Sequence, residues 1–372
     1  MGTVLLATWD GGGNVPPMLA LAQELQRRGH TVGVVGHASQ RAAVVATGLP
    51  FNEYPVQAAF GFSKEPSFRT VTELFGDRAL GTHVAAVAED MHADLVVVDC
   101  VLGGVMDALA ERVIPYVVLE HLFDAYLRGR HVNGPVGLAM RLKGLRPRRL
   151  LDGASRCIVA SLPELDPAGS TRGAPPNRTH TGPFVVASLS TPRTPTVLVS
   201  LSTVAHHSMQ GVWQRTLDAL AELPVRVVAT TGPAIAPSAL SAGANTQLLS
   251  WAPHGDLMPE ASVMIGHGGH STTMLALAHG LPLLVMPIFA PVDQGMVGAS
   301  VQAYGAGRML RKSASSRRIR ETVETLLEDQ TYRVAAWTLG TRIRELDGLS
   351  RATDLVEGLL GPRPRGKRPA RG

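Results

Sequence analysis

The chain has 372 residues, 45% of them hydrophobic and 17% charged, which excludes an intrinsically disordered protein and is long enough for two domains. The net charge is +5, but the last twelve residues carry five basic side chains and no acid, so the charge indicates a basic disordered tail over 361–372 and no role in binding nucleic acid. Two cysteines, no basic segment at the start and no apolar run near the ~20 residues of a membrane span lead us to expect a cytoplasmic protein without stable membrane insertion.

The first half of the chain alternates apolar strands with helical segments, which is the pattern of a parallel sheet covered on both faces. A helix is predicted from Pro17 to Arg28, because proline favours a helix start and Gly29 follows its end. Two long connections, Phe51–Thr82 and His121–Leu150, are expected to be loops that shape a binding pocket. The predicted strands are Thr3–Thr8, Thr31–Val35, Leu95–Val98, Tyr116–Leu119 and Cys157–Ala160.

A second alternating series follows Pro163–Pro195, a segment rich in proline, glycine, serine and threonine, so we predict a domain boundary near the end of that segment. We expect an N-terminal domain over 1–190, a C-terminal domain over 191–350, and a helix end over 351–360 that returns to the N-terminal domain. The predicted strands are Thr196–Leu201, Val225–Ala229, Thr246–Leu249, Val263–Ile265 and Leu283–Met286. The predicted helices are Met209–Glu222, Ser271–His279, Gln294–Tyr304, Ser315–Glu328 and Tyr332–Leu359.

The most informative stretch of the second series lies between Gly266 and Gln294. A strand leads through a histidine- and glycine-rich turn, 267–270, into a helix that opens with Ser271. Glycines let the backbone approach a ligand closely, and the free N–H groups and positive dipole end of the first helical turn bind anions. Asp293 and Gln294 follow about twenty residues later and suit hydroxyl groups. The stretch therefore predicts a site for a nucleotide-sugar, with its diphosphate at the helix and its sugar at the acid and amide.

Together with Trp251-Ala252-Pro253-His254 upstream, this stretch resembles the donor signature of glycosyltransferase family 1, in its bacterial antibiotic-type branch. The resemblance covers most of the chain and implies a GT-B fold, in which two Rossmann-like α/β domains with parallel sheets face each other across a cleft. It also implies inverting transfer without a metal or a bound cofactor. The partners are then a nucleotide-sugar and a small-molecule aglycone. The sequence leaves the oligomeric state open, a homodimer included.

The resemblance assigns roles in donor binding to several residues. His267 would bind the diphosphate, Trp251 would stack on the base, and Asp293 and Gln294 would read the sugar hydroxyls. Where many relatives have a glutamate that holds both ribose hydroxyls, this chain has Leu275, from which we hypothesise a dTDP donor. The remaining donor-binding residues implied by the resemblance are Thr203, His254, Gly268, Gly269, Ser271 and Thr272.

On the acceptor side, the family carries a catalytic histidine after its first strand, and this position is Asn14 here. An amide cannot act as a general base, so three explanations stay open. Asp99, at the position of the family's dyad aspartate, acts directly or through water. His121 or Asp124 supplies the base. Or the acceptor needs little deprotonation and Asn14 orients it. Phe123 is a further candidate for contact with a hydrophobic acceptor.

We therefore expect an inverting, metal-independent glycosyltransferase that moves a hexose, in particular a deoxyhexose, from a dTDP- or UDP-sugar to a small hydrophobic natural product. Catalysis would rest on Asn14, Asp99 and His267. Two alternatives remain. One is a nucleotide-sugar epimerase or hydrolase that uses the same donor cleft. The other is a degenerate paralogue that binds a nucleotide-sugar or aglycone and assists a partner enzyme, for which Asn14 is the only support in the sequence.

Overall fold

The computed structural model describes residues 1–55, 67–170, 174–201, 209–232, 235–289 and 292–361. Within these residues the chain forms two sheets whose paired strands are all parallel, and helices flank both sheets. The predicted α/β architecture is thereby confirmed. No helix in the described ranges is long and apolar enough to cross a bilayer.

The first sheet has seven strands: β1 Thr3–Ala7, β2 Thr31–Gly36, β3 Phe51–Glu53, β4 Leu95–Asp99, β5 Tyr116–Glu120, β6 Arg156–Val159 and β7 Arg178–His180. Their spatial order is β3-β2-β1-β4-β5-β6-β7. Side chains alternate along β1, so that Val4 and Leu6 pack into one core layer and Leu5 and Ala7 into the other. The helices of this half are α1 Val15–Arg27, α2 Arg41–Ala46, α3 Phe68–Phe75, α4 Arg78–Asp90, α5 Gly103–Glu111, α6 Asp124–Tyr126, α7 Pro135–Leu142 and α8 Pro147–Asp152.

The second sheet has six strands: β8 Thr196–Ser200, β9 Arg226–Thr230, β10 Thr246–Leu249, β11 Val263–Gly266, β12 Leu283–Val285 and β13 Gly307–Met309. Their order is β10-β9-β8-β11-β12-β13. Its helices are α9 Met209–Ala221, α10 His254–Leu257, α11 His270–Ala278, α12 Gln294–Tyr304, α13 Ser316–Glu328, α14 Gln330–Leu346 and α15 Gly348–Glu357. Val197 and Val199 face the core around Trp213, whereas Leu198 faces the opposite layer with Leu277.

The two long connections predicted as loops are largely helical, so that prediction was wrong. The described part of the first, 51–55 and 67–82, contains β3, α3 and the start of α4. The second contains α6, a five-residue π-helix Leu127–His131, α7 and most of α8. Short helices are fixed by their ends rather than by long periodicity: Ser67 and Asp77 cap α3 and α4, and Pro135 and Pro147 open α7 and α8.

The last helix, predicted as one element over Tyr332–Leu359, is two helices that meet at Asp347. This residue has a φ of 44°, in the left-handed region that interrupts an α-helix. Its carboxylate then accepts a hydrogen bond from the Ser350 N–H at 3.2 Å and caps α15. The chain thereby turns between α14 and α15.

Helix α15 packs against α1, which belongs to the first sheet. Arg28 at the end of α1 forms ion pairs with Asp354 and with Glu357, the latter at 2.7 Å. His30 contacts the other oxygen of Glu357 at 2.9 Å. The predicted boundaries at 190 and 350 stay predictions, but the described helix α15 packs on the N-terminal half.

Candidate functional site

The carboxyl ends of the parallel strands β1, β4 and β5 lie at one edge of the first sheet, and the turns that follow bring three polar residues together. Asn14 precedes α1, Asp99 ends β4, and His121 follows β5. The Asn14 Nδ2 donates to Asp99 Oδ2 at 2.8 Å, and His121 Nε2 lies 3.1 Å from Asp99 Oδ1. The structure therefore joins three of the predicted acceptor-side residues in one hydrogen-bonded row.

Asn14 is held firmly in this row. Its Nδ2 also donates to the Trp9 carbonyl at 2.9 Å and lies 3.4 Å from Thr8 Oγ1. Its side chain is buried, and Oδ1 faces Gly11 without a hydrogen-bond partner. Because Nδ2 is the atom that can donate to a carboxylate, the contact with Asp99 fixes the orientation of the amide.

The Asp99 carboxylate affects the protonation of the His121 imidazole beside it. Burial lowers the pKa of His121, but the neighbouring Asp99 carboxylate, with a smaller contribution from Cys100, raises that pKa well above its usual range overall. Burial also raises the pKa of the Cys100 thiol to about 11, so this thiol is neutral near pH 7. The polar atoms of Asp99, Cys100 and His121 all lie within 4.8 Å of one another.

In the second half, the predicted donor turn links β11 to α11. Gly268 has a φ of 84°, and a Cβ there would lie 2.8 Å from the Gln294 carbonyl oxygen, so the position requires glycine. A Cβ on Gly269 would lie 2.4 Å from His267 Nε2, which means that the His267 ring packs directly over Gly269. This close packing sets the position of the imidazole at the N-terminal end of α11.

The N-terminal end of α11 faces the first sheet. Ser271 Oγ donates to the Gly13 carbonyl at 2.7 Å, one residue before Asn14. Along α11 only 271, 272 and 275 are half-exposed, and the other residues are buried. Ser271, Thr272 and Leu275 therefore share the open side of the helix, which meets the turn after β1. The donor and acceptor turns predicted from the sequence face each other across this contact.

Asp293 and Gln294 are buried at the start of α12. Asp293 Oδ2 accepts a hydrogen bond from the Phe123 N–H at 3.2 Å, a contact between the two halves. Gln294 Oε1 accepts from the N–H groups of Ile288 and Phe289, both at 2.9 Å, and so holds the loop between β12 and α12. The acid thus lies at the junction of the halves, beside the loop that carries His121.

Trp251 follows β10 and is the most exposed tryptophan among the described residues, with 70% of its surface accessible. His254, at the start of α10, hydrogen-bonds Thr230 Oγ1 at 3.1 Å, and burial lowers its pKa. An exposed aromatic ring at the carboxyl edge of a parallel sheet is available to stack on a ligand. Thr203 lies outside the described residues.

Phe123 and Asp124, predicted to contact the acceptor, are fully buried. The Phe123 ring packs edge-on against His270 at 5.4 Å between centroids. The Asp124 carboxylate is ion-paired with Arg128, at 2.8 Å, and with Arg178. We therefore correct both predictions: Phe123 joins the two halves, and Asp124 is a buried counter-ion.

His270 contacts the first half of the chain, and the sequence analysis did not predict this. It lies within the glycine-rich string, but only the fold shows that its Nε2 is 3.1 Å from the Ala160 carbonyl at the end of β6. Its Nδ1 lies 3.8 Å from Asp293 Oδ2. A histidine in a turn gives no signal for a partner more than a hundred residues away, so no local pattern identified this contact.

Comparison with known proteins agrees with this arrangement. Residues 4–133 match the glycosyltransferase family 28 N-terminal domain, and residues 214–344 match the erythromycin biosynthesis protein CIII-like C-terminal domain. The 4'-demethylrebeccamycin synthase of Lentzea aerocolonigenes is 29% identical, over 96% of this chain and 99% of its own length. An uncharacterized glycosyltransferase of Methanosarcina mazei is 26% identical, over 94% and 96% respectively.

Solved structures share the fold. The calicheamicin glycosyltransferase CalG4 superposes with a TM-score of 0.78 at 23% identity, over 98% of this chain and 99% of its own. The glycosyltransferase VinC, solved in complex with dTDP, gives 0.72 at 18%, over 96% and 99%. With both family domains matched in chain order and the two parallel sheets in place, the chain belongs to the GT-B glycosyltransferases of the bacterial natural-product type.

Proposed function

We propose that this glycosyltransferase moves a hexose, in particular a deoxyhexose, from a dTDP- or UDP-sugar to a small hydrophobic natural product, with inversion and without a metal ion. The observation that carries the proposal is the 2.7 Å contact from Ser271 Oγ to the Gly13 carbonyl. It brings the anion-binding end of α11 to the turn that holds Asn14. A donor diphosphate at one and an acceptor at the other would be adjacent.

The leaving group would be stabilised by the start of α11. The backbone N–H groups of the first helical turn have no partner within the helix, and the helix dipole adds positive potential there. His267, fixed over Gly269, would add a side-chain donor to the same diphosphate. Groups arranged in this way before the reaction stabilise charge as it develops on the leaving group, which is the task that a metal ion performs in other transferases.

The sugar would lie between the halves, next to Asp293. Its carboxylate is held at the junction by the Phe123 N–H and would accept hydrogen bonds from sugar hydroxyls there. Gln294 uses its carbonyl oxygen for the loop backbone, which leaves its amide group as the part that would contact the sugar. Trp251 would stack on the base.

The preference for dTDP over UDP is argued from Leu275. This residue lies on the open side of α11 with Ser271, one helical turn away. A leucine offers no acceptor to a ribose 2′-hydroxyl, and a site that leaves such a hydroxyl without a partner disfavours it. A deoxyribose has no such hydroxyl. VinC, one of the similar structures, was solved with dTDP.

The acceptor class is proposed from the relatives together with the composition of the N-terminal half. The relative from Lentzea aerocolonigenes is a 4'-demethylrebeccamycin synthase, and CalG4 is a calicheamicin glycosyltransferase. The first name is that of a synthase that makes 4'-demethylrebeccamycin, and the second is that of a glycosyltransferase for calicheamicin. A small hydrophobic aglycone at the edge of the first sheet, against Asn14 and His121, would follow the same arrangement.

Isothermal titration of the protein with dTDP, UDP and GDP tests the donor site. We expect dTDP to bind best, and His267→Ala to weaken its binding at least tenfold. His92→Ala, an exposed histidine before β4 at the opposite edge of the sheet, is the matched control and should bind as the wild type does. UDP binding much tighter than dTDP would refute the donor preference. The absence of binding by any nucleotide would refute the transferase proposal in favour of the degenerate paralogue, and consumption of dTDP-glucose to a free sugar or epimer in preference to transfer would favour a hydrolase or epimerase.

A further inference from the structure

We propose that His121 is the general base that takes the proton of the acceptor, and that Asp99 and Asn14 are positioning residues for it. The inference rests on the proposed function and specifies how acceptor activation occurs in a chain whose first turn has an amide in place of the family's histidine. In this chain the base has moved from the turn after β1 to the turn after β5, and the aspartate between the two turns is shared.

The exposure of the three side chains decides among them. Asp99 has no exposed side-chain surface and Asn14 is 2% exposed, whereas the His121 side chain is 13% exposed. Both Asp99 oxygens already accept hydrogen bonds: Oδ1 from Val101 N–H and from His121, and Oδ2 from Asn14. Of the three side chains, His121 therefore has the most surface open to an acceptor hydroxyl, and Asp99 has none.

The loop that carries His121 also contacts the second half of the chain. It lies two residues before Phe123, whose N–H donates to Asp293, the residue proposed to hold the sugar. The Phe123 ring also packs on His270 at the start of α11. A base on this loop would thus lie near a sugar bound at Asp293, the region in which the attacking oxygen of the acceptor is needed.

Asn14 restrains the carboxylate from the other side. Its Nδ2 donates to Asp99 Oδ2, the oxygen that His121 does not use. With Oδ2 occupied by a neutral donor, Oδ1 keeps its alignment with the imidazole. A histidine at position 14 would compete with His121 for the same carboxylate, so the asparagine and the relocated base form a consistent pair.

The proton and electron balance is simple. The acceptor oxygen forms a bond to the anomeric carbon while the bond from that carbon to the diphosphate oxygen breaks, and the electron pair leaves with the diphosphate. The acceptor proton passes to Nδ1 of His121, because Nε2 contacts Asp99; the Cys100 thiol is the other side chain that hydrogen-bonds this ring. The resulting imidazolium is stabilised by the Asp99 carboxylate and later releases the proton to solvent, which its partial exposure allows.

The test compares His121→Gln with the wild type by measuring dTDP release from dTDP-glucose, with 7-hydroxy-4-methylcoumarin, 4-nitrophenol or water as acceptor. We expect kcat to fall about 100-fold or more, the usual size of a general-base contribution, with an unchanged Kd for dTDP. His92→Gln, at the opposite edge of the sheet, should match the wild type. The loss should be smaller for 4-nitrophenol than for the coumarin, because the more acidic phenol needs less help in losing its proton.

A pH profile distinguishes chemistry from structure. The titratable groups that act on His121 are Asp99 and Cys100 in its own half. Across the junction, Asp293 and His270 contact Phe123, two residues further along the same loop. A protonated imidazole cannot accept a proton, so kcat/KM should fall as pH falls through the raised pKa of His121. Asp99→Asn removes the negative charge and should move that acid limb to lower pH, which a purely structural role for Asp99 would not do.

The outcomes separate the inference from the function on which it rests. Wild-type dTDP release that His121→Gln leaves unchanged, with an unchanged acid limb, overturns the relocated base while keeping the transferase. A wild type that neither binds dTDP nor releases it from dTDP-glucose overturns the proposed function itself.

Discussion

Replacement of Trp251 by alanine separates nucleotide binding from folding. The indole is 70% exposed, so it buries less than a third of its surface in the protein. Full burial of a tryptophan is worth roughly 3–5 kcal/mol on truncation, so we expect Trp251→Ala to lower the free energy of unfolding by only about 1–1.5 kcal/mol. Stacking of an aromatic ring on a base contributes about 1–3 kcal/mol. The Kd for dTDP should therefore rise about 5- to 150-fold.

Trp337 supplies the matched control. It lies on α14, is 41% exposed, and its ring packs against Gly280, away from the donor turn. Because more than half of this side chain is buried, Trp337→Ala should cost about 2 kcal/mol or more of stability and leave the Kd for dTDP unchanged. Titration calorimetry and urea denaturation of both variants measure the two quantities. Unchanged dTDP affinity in Trp251→Ala, or a stability loss equal to that of Trp337→Ala, would refute the stacking role.

Three further predictions concern the donor turn, a buried acid and the metal. Gly269→Ala would place a Cβ 2.4 Å from His267 Nε2 and displace the ring, so the Kd for dTDP should rise at least tenfold, whereas Gly129→Ala, with no atom within 4 Å, should bind normally in the same titration. Burial, followed by the charge of Asp124, raises the pKa of Glu120 well above its usual range, so the free energy of unfolding of the wild type should fall as pH rises through that pKa. Denaturation at pH 5 and pH 8 should show a smaller fall for Glu120→Gln than for the wild type. Equal falls would contradict a buried neutral Glu120. Sugar transfer should persist in excess EDTA if, as proposed, the N-terminal end of α11 and His267 stabilise the diphosphate in place of a metal ion. Activity that EDTA abolishes and Mg²⁺ restores would disprove this.

Local patterns predicted the elements with strong signals. The apolar strands were identified because a buried parallel strand is a continuous run of apolar residues. The turn before α11 was identified because a left-handed backbone position favours glycine. The described strands β3, β7 and β13 have three residues each, too short for such a pattern, and they were missed. Helices α7 and α8 were missed for the same reason, since eight and six residues hold little periodicity.

The candidate site divides in the same way. The residue types from His267 to Thr272 were enough to predict a donor site, and the asparagine at position 14 in place of a histidine was recognised from the family resemblance alone. The sequence did not show which of Asp99, His121 and Asp124 is best placed to act as the general base, because that depends on which side chain has exposed surface. The sequence shows Asp99 and Asp124 only as two aspartates near strand ends. The fold shows that Asp124 forms ion pairs with Arg128 and Arg178, and that both carboxylate oxygens of Asp99 accept hydrogen bonds.

The sequence by itself determined the alternation of strands and helices, the glycine-rich turn and the helix that follows it, because each is fixed by interactions between residues close in the chain. Only the tertiary structure decided which turns lie together. Asn14 hydrogen-bonds Asp99, which is 85 residues away along the chain, and Ser271 hydrogen-bonds Gly13, which is 258 residues away. Parallel strands make this possible by collecting distant turns at one edge of each sheet. Periodicity and propensity carry no information about such distances, and burial and shared hydrogen bonds arise only when the sheets have formed.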